Sequence, residues 1–331
     1  MDTRKVYEPV IVTAPRPGEP TVTVHNKHLS DGLGGYELRW AVTLDGEPVE
    51  SGALPAPSAP PGGRAAVAVP CHRPAEPVPG AEYLLTVTAV LRENTSWARA
   101  GHTVTTGQFA LGWDAPPPAA PAPRTLAPLT LTETAGTVGV SGRDVDVVVD
   151  RATGRLDSYR YRGRLLLSGA PGVPAGPVSV AAAQPLPGEV VVEVSAPPAR
   201  AGAPRTATVL TVRDDGELVL RHPVPDGAPP PAAVLSLPPQ YEHAEWYGRD
   251  ARGLLGRHRG CQGAMTDVRW LALTDAEGRG LTVRGAPHTT LPGAQARRLR
   301  PSPRAAAEER APRAETRLTV RADTYRLLPL L

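Results

Sequence analysis

Tyr36-Glu37-Leu38-Arg39-Trp40-Ala41-Val42 alternates apolar and polar side chains, and Asp45-Gly46 follows it closely. A period of two puts one face of an extended chain into a core and the other toward water. Asp-Gly accepts the positive φ angles of a tight hairpin turn, so the stretch reads as a strand turning back on itself. Upstream, Thr21-Val22-Thr23-Val24-His25 alternates in the same way, and downstream Glu82 to Leu91 forms another long strand pattern. Short strands at this spacing, separated by Gly/Pro turns and with no segment of helical period, predict an immunoglobulin-like β-sandwich over residues 1–114.

Beyond that sandwich, Pro116-Pro117-Pro118-Ala119-Ala120-Pro121-Ala122-Pro123 removes backbone donors and favours extended polyproline geometry, which predicts a linker at 115–126. Strand patterns resume at Val138 to Val149, Tyr159 to Tyr161, Val190 to Val194 and Thr206 to Val212. Turns are expected at Asp150 to Gly154 and at Asp214-Asp215-Gly216, before Glu217 to Arg221. Residues 127–331 therefore read as a second, larger antiparallel β-sandwich, and the whole chain as all-β. The two segments without apolar periodicity, Ala115 to Pro123 and Arg298 to Glu315, are expected to be the most mobile.

The composition is compatible with this reading. The 331 residues suffice for two domains, and 41% of them are hydrophobic, although 40 prolines and 33 glycines imply many connections. The 36 basic and 33 acidic residues leave a net charge of +3 and are spread along the chain, which argues against a nucleic-acid partner. Cys71 and Cys261 cannot by themselves form a disulfide framework or a zinc site. No stretch approaches the ~18 apolar residues of a membrane span. Asp2, Arg4, Lys5 and Glu8 stand where a signal peptide needs an apolar core. A cytoplasmic protein with no membrane partner is expected.

Local chemistry is sparse. His25, His28 and Asp31 are candidate metal ligands, but the spacing suits a helix face and the segment reads as a strand running into a turn. Glu242 and Glu245 flank His243 beside Trp246-Tyr247, yet glycosidase carboxyl groups face each other across a sugar at ~5–9.5 Å, usually from different elements. No phosphate-binding glycine loop and no Gly-x-Ser-x-Gly elbow occurs, and Cys71-His72 lacks a third partner in sequence. The residues alone support no reaction, and no catalytic residue or metal ligand is assigned. Tryptophans and tyrosines on the surface make carbohydrate contact plausible.

The first domain resembles the β-sandwich that follows the catalytic barrel in long bacterial β-galactosidases of glycoside hydrolase family 2. Lys5-Val6-Tyr7-Glu8-Pro9-Val10, Asn26 with His28-Leu29-Ser30-Asp31, Leu44 to Gly52, Trp97-Ala98-Arg99-Ala100-Gly101-His102 and Gln108-Phe109 carry the likeness. The second domain resembles the terminal, galactose-mutarotase-like sandwich of the same enzymes. Its motifs are Arg151 to Leu156, Glu245-Trp246-Tyr247-Gly248-Arg249 and Thr266 to Asp275. It departs from the family at Gly169 to Pro177, at Asp250 to Met265 and at Arg298 to Glu315, and so looks shortened.

The resemblance implies that both catalytic carboxylates, and most ligands of the family's magnesium and sodium ions, lie in a barrel preceding Lys5. No cofactor is assigned to this chain. The expected role is the non-catalytic C-terminal portion of a β-galactosidase, inactive alone, whose partners are the barrel and galactoside sugars. The alternatives are a stand-alone carbohydrate-binding sandwich and a decayed remnant without activity. The resemblance also implies that Tyr325, on a loop of Ala322 to Arg326, is an aromatic sugar platform, with Trp246 and Arg249 as further substrate-binding candidates.

Overall fold

The computed structural model describes residues 8–14, 16, 18–113, 127–169, 178–196, 206–224, 229, 232–260, 265–286, 289–299 and 315–330. These residues form 24 β-strands and no helix. In particular, no helix is long and apolar enough to cross a membrane. They cluster into two compact units, one of residues up to 113 with 254–257 and one of the remaining residues. The expected linker and Cys261 lie outside the described residues.

The first unit has seven strands, β1 (Val10–Thr13), β2 (Thr21–Asn26), β3 (Tyr36–Leu44), β4 (Glu47–Pro55), β5 (Arg64–Ala68), β6 (Tyr83–Leu91) and β7 (Thr103–Ala110). They make an antiparallel sheet of order β1-β2-β5 and another of order β4-β3-β6-β7. The alternation expected of β3 holds: Leu38, Trp40 and Val42 are buried and meet Val22, Val24, Leu85, Val87 and Ala89 in one core. Asp45 and Gly46 have φ of 47° and 84°, the two positive values of the hairpin turn, and Asp45 also accepts the Glu82 N–H at 2.8 Å. Opposite Trp40 stands Gly52, where a Cβ would lie 2.8 Å from the indole, so the glycine makes room for the ring.

In the second unit, β8 (Thr130–Glu133), β9 (Thr137–Ser141), β10 (Val145–Asp150), β11 (Leu156–Tyr161) and β12 (Arg164–Leu167) form a five-stranded meander. A twelve-stranded sheet follows. Its strands are β13 (Ser179–Leu186), β14 (Glu189–Ala196), β15 (Thr206–Arg213), β16 (Leu218–Arg221), β17 (Ala232–Leu237), β18 (His243–Arg249), β19 (Leu255–Arg259), β20 (Met265–Thr274), β21 (Gly280–Gly285), β22 (Leu291–Leu299), β23 (Glu315–Arg321) and β24 (Thr324–Leu330). Along its main path the order is β13-β14-β15-β16-β24-β21-β20-β22-β23-β17. Val147, Val149, Tyr159 and Leu166 of the small sheet share one apolar cluster with Val192, Leu220, Leu271, Val283, Leu318 and Leu327 of the large one. At about 1.5–3 kcal/mol for each such side chain, this continuous core holds the second unit together.

Two expectations shift here. The chain segment expected to be mobile at Arg298 to Glu315 begins and ends in strands, since β22 and β23 pair from Gly293↔Arg321 to Leu299↔Glu315. Residues 300–314 lie outside the described residues. The turn before β24 is also shorter than expected, consisting only of Ala322 and Asp323, so Thr324 to Arg326 are strand residues.

Candidate functional site

The Trp246-Tyr247-Gly248-Arg249 motif ends β18 on an irregularity in its pairing with β20. Tyr247 faces Trp270, while Arg249 faces Thr266, so the register slips by a bulge on β20, which carries two more residues than β18 over this span. The bulge turns Arg249 toward Asp267, which takes its Nε–H at Oδ2 at 2.9 Å, and a second N–H goes to Gly253 O at 2.9 Å. Asp267 has φ 51°, a left-handed backbone unusual outside glycine. Its carboxylate is also reached by Arg269 at 2.7 Å and by the Thr290 hydroxyl at 2.9 Å. Burial alone would raise the Asp267 pKa, but these donors and the Arg269 charge outweigh it and hold the group low. The Arg269 guanidinium also lies 5.9 Å from the centre of the buried Tyr247 ring.

Trp246 itself is 6% exposed and stacks on His258, with ring centroids 4.2 Å apart and an angle of 22°. Its face is therefore occupied by the protein, and burial pushes the His258 pKa down. Of the two further substrate candidates, Arg249 keeps an accessible edge and Trp246 does not.

Tyr325 is a correction. In β24, Tyr325 and Leu327 alternate inward, and the Tyr325 side chain is fully buried in the core of the second unit. Its ring leans on His222 at 5.8 Å, and its hydroxyl stands 3.5 Å from His222 Nε2, whose Nδ1 meets the Thr208 hydroxyl at 3.0 Å. Burial pushes the Tyr325 pKa up and the His222 pKa down. A platform needs an open ring face, and Tyr325 has none here.

The other candidates resolve into structural roles. His28 Nε2 meets the Tyr36 hydroxyl at 2.8 Å, and the buried Asn26 amide donates to Asp31 O and Ala59 O at 2.8 and 3.0 Å. Glu245 pairs loosely with Arg259 at 3.6 Å, and His243 is exposed. His72 does find a partner that the sequence did not reveal, Glu50 at 2.9 Å, while burial raises the Cys71 pKa and so disfavours a thiolate. Among the described residues, no group of three or more His, Cys, Asp or Glu stands together as a metal site would require.

Sequence reasoning also missed two buried carboxylates. Glu217 lies between Arg213 and Arg326, at 2.5 and 3.1 Å, and Asp275 pairs with Arg164 at 2.9 Å. The Asp-Asp-Gly-Glu and Asp-Ala-Glu-Gly turns held the signal, but each reads equally well as a solvated loop. Where described carboxylates depart from their ordinary pKa, at Glu50, Asp150, Asp267 and Asp275, all are held low by hydrogen-bond donors or arginines. A glycosidase acid needs the opposite shift.

Comparison with known proteins bears on this arrangement. Residues 22–112 match the family model described as β-galactosidase, domain 4. A β-galactosidase of Priestia megaterium is 26% identical over an alignment that covers 88% of this chain, and the chain spans 33% of that enzyme's length. Among solved structures, an uncharacterized protein of Listeria monocytogenes in complex with glucose, magnesium and calcium covers 97% of the chain, at 10% identity and a TM-score of 0.21. A cycloalternan-forming enzyme of the same organism gives 9% identity and a TM-score of 0.20. Neither superposition is close enough to bear on the fold. The first sandwich matches the β-galactosidase domain 4 model, within an all-β chain that is similar to a β-galactosidase along most of its length.

Proposed function

We propose that this chain is the non-catalytic sandwich portion of a family 2 β-galactosidase and completes a catalytic barrel lying outside it. The observation that carries the reading is the joint likeness, a domain-4 match over residues 22–112 within a β-galactosidase similarity over 88% of the chain. The chemistry supports the division of labour. Hydrolysis of a β-galactoside such as lactose needs an acid with a raised pKa and a second carboxylate across the sugar. Asp267, in one of the motifs, is instead neutralised by Arg249 and Arg269, and the buried Glu217 by Arg213 and Arg326. The described residues likewise offer no fitting seat for the magnesium that family members use, and no step is assigned to it.

In this role the Arg249–Asp267–Arg269 cluster is a preformed polar end of β18, available to a barrel surface or to a sugar held there. The test is association: the purified chain should co-sediment with a barrel-bearing β-galactosidase polypeptide from the same genome. Co-sedimentation undiminished by Arg249→Ala removes that cluster from the interface, and its complete absence in the unmodified pair removes the proposed role.

A further inference from the structure

Residues 92–102 join β6 to β7 and are tightly organised. Leu91 N donates to His102 O at 3.0 Å, Gly101 N to Leu91 O at 2.7 Å and Arg92 N to Gly35 O at 2.9 Å, which fixes both ends. Within the loop, Thr95 N donates to Ala98 O at 2.8 Å, the Thr95 hydroxyl accepts Ala98 N–H at 3.1 Å, and Asn94 Oδ1 accepts Ala100 N–H at 2.9 Å. At the centre of this frame is Trp97, 61% exposed. Its ring meets that of His102 nearly at right angles, with centroids 5.4 Å apart, a contact that sets its orientation.

The exposure is not general among the tryptophans. Trp40, Trp113 and Trp246 are buried, and Trp270 is half-buried. Leaving an indole in water forgoes roughly 2 kcal/mol of burial free energy, and a loop fixed by this many hydrogen bonds holds the ring outward against that gain. On the same loop Arg92, Glu93 and Arg99 are exposed, and among the described residues their side chains form no ion pair. A fixed, open aromatic face on a loop that also carries exposed charged groups matches the chemistry of a pyranose, which has an apolar face and a rim of hydroxyls.

We propose that Trp97 is the stacking platform of a carbohydrate site on the first sandwich, taking a β-galactoside. The axial 4-hydroxyl of galactose gathers the C3, C4 and C5 hydrogens on one face, which lies on the indole, while His102, Glu93 and Arg99 take the hydroxyls. The choice of galactose rests on the β-galactosidase reading above; the platform itself rests on the loop.

Indole N–H signals of the uniformly labelled chain test this directly. The five tryptophans give five signals, and the Trp97 signal is the one missing in Trp97→Phe. Titration with methyl β-galactoside should move the Trp97 signal saturably in the millimolar range while the other indoles stay in place, and methyl β-glucoside should act more weakly. Trp97→Ala, compared with wild type by saturation transfer to the sugar's own proton signals, should lower the affinity by about tenfold. A Trp97 signal unmoved by either sugar, or full affinity in Trp97→Ala, overturns the platform. Equal responses to the two sugars overturn the choice of galactose. A failed titration leaves the barrel-completing role standing, because that role is read by association and turnover.

Discussion

The guanidinium of Arg326 on β24 reaches Glu217, just before β16, at 3.1 Å, while Arg213 holds the other carboxylate oxygen at 2.5 Å. Glu217 is 6% exposed, so its charge depends on these two partners, and Arg326 Nε is further fixed by Gly285 O at 3.1 Å. The network spans β15, β16, β21 and β24 at the centre of the large sheet. Glu217→Gln leaves Arg326 without its carboxylate partner and Arg213 with Glu189 alone, and should destabilise the second unit by about 2 kcal/mol. Urea unfolding followed by a probe in that unit checks the value. An unchanged midpoint would show that water already screens the pair.

Asp267 separates charge from backbone conformation. Asn tolerates its φ of 51° but cannot neutralise Arg249 and Arg269, so Asp267→Asn should cost about 1 kcal/mol. Asp267→Ala adds the left-handed strain and should cost roughly 1 kcal/mol more. Equal losses in the two variants would mean that the backbone carries no strain here.

Gly154 closes the Arg151 to Leu156 hairpin with φ 65°, and a Cβ there would lie 2.3 Å from Val194 Cγ1. Gly154→Ala should therefore destabilise by at least about 2 kcal/mol, from strain and overpacking together. Thermal unfolding of the variant checks this, and a shift within error of wild type contradicts the close approach.

Acid should weaken the second unit in two stages. Burial depresses His222 and His258 below their ordinary value of 6.5. The unfolded chain then binds protons first, so this stabilisation is intact above about 6.5 and is lost as pH falls through the folded values. Asp150, Asp267 and Asp275, all held below 3.8, add a second loss at lower pH. Melting temperature measured across pH should fall below 6.5, and His258→Phe should flatten the upper part of that slope. A flat profile from 7 down to 5 in wild type contradicts the burial of both rings.

Much of the fold was legible because alternation and turn chemistry agreed. The β3 alternation, the Asp45-Gly46 turn and the Asp150 to Gly154 turn all appear where period and φ preference put them. The strands β22 and β23 were hidden because their outward positions carry Gln295, Arg297, Arg317 and Arg321 and two inward positions are only alanines, Ala294 and Ala296. The site was less legible. Tyr325 alternates with Leu327, which signals burial, but Asp323-Thr324 suggested a loop and drew the residue outward. The alternation of β3 marked Trp40 as a core residue, but nothing in sequence ranked Trp97 above Trp246, since only the hydrogen-bonded frame of residues 92–102 leaves Trp97 exposed.

The division of labour between this chain and a barrel is tested most directly by turnover of a chromogenic β-galactoside, measured for the purified chain, for a barrel-bearing polypeptide from the same genome and for their mixture. The account predicts no hydrolysis by the chain alone and a gain in the mixture over the barrel polypeptide alone. Hydrolysis by the pure chain, or a mixture no faster than the barrel polypeptide by itself, would contradict it.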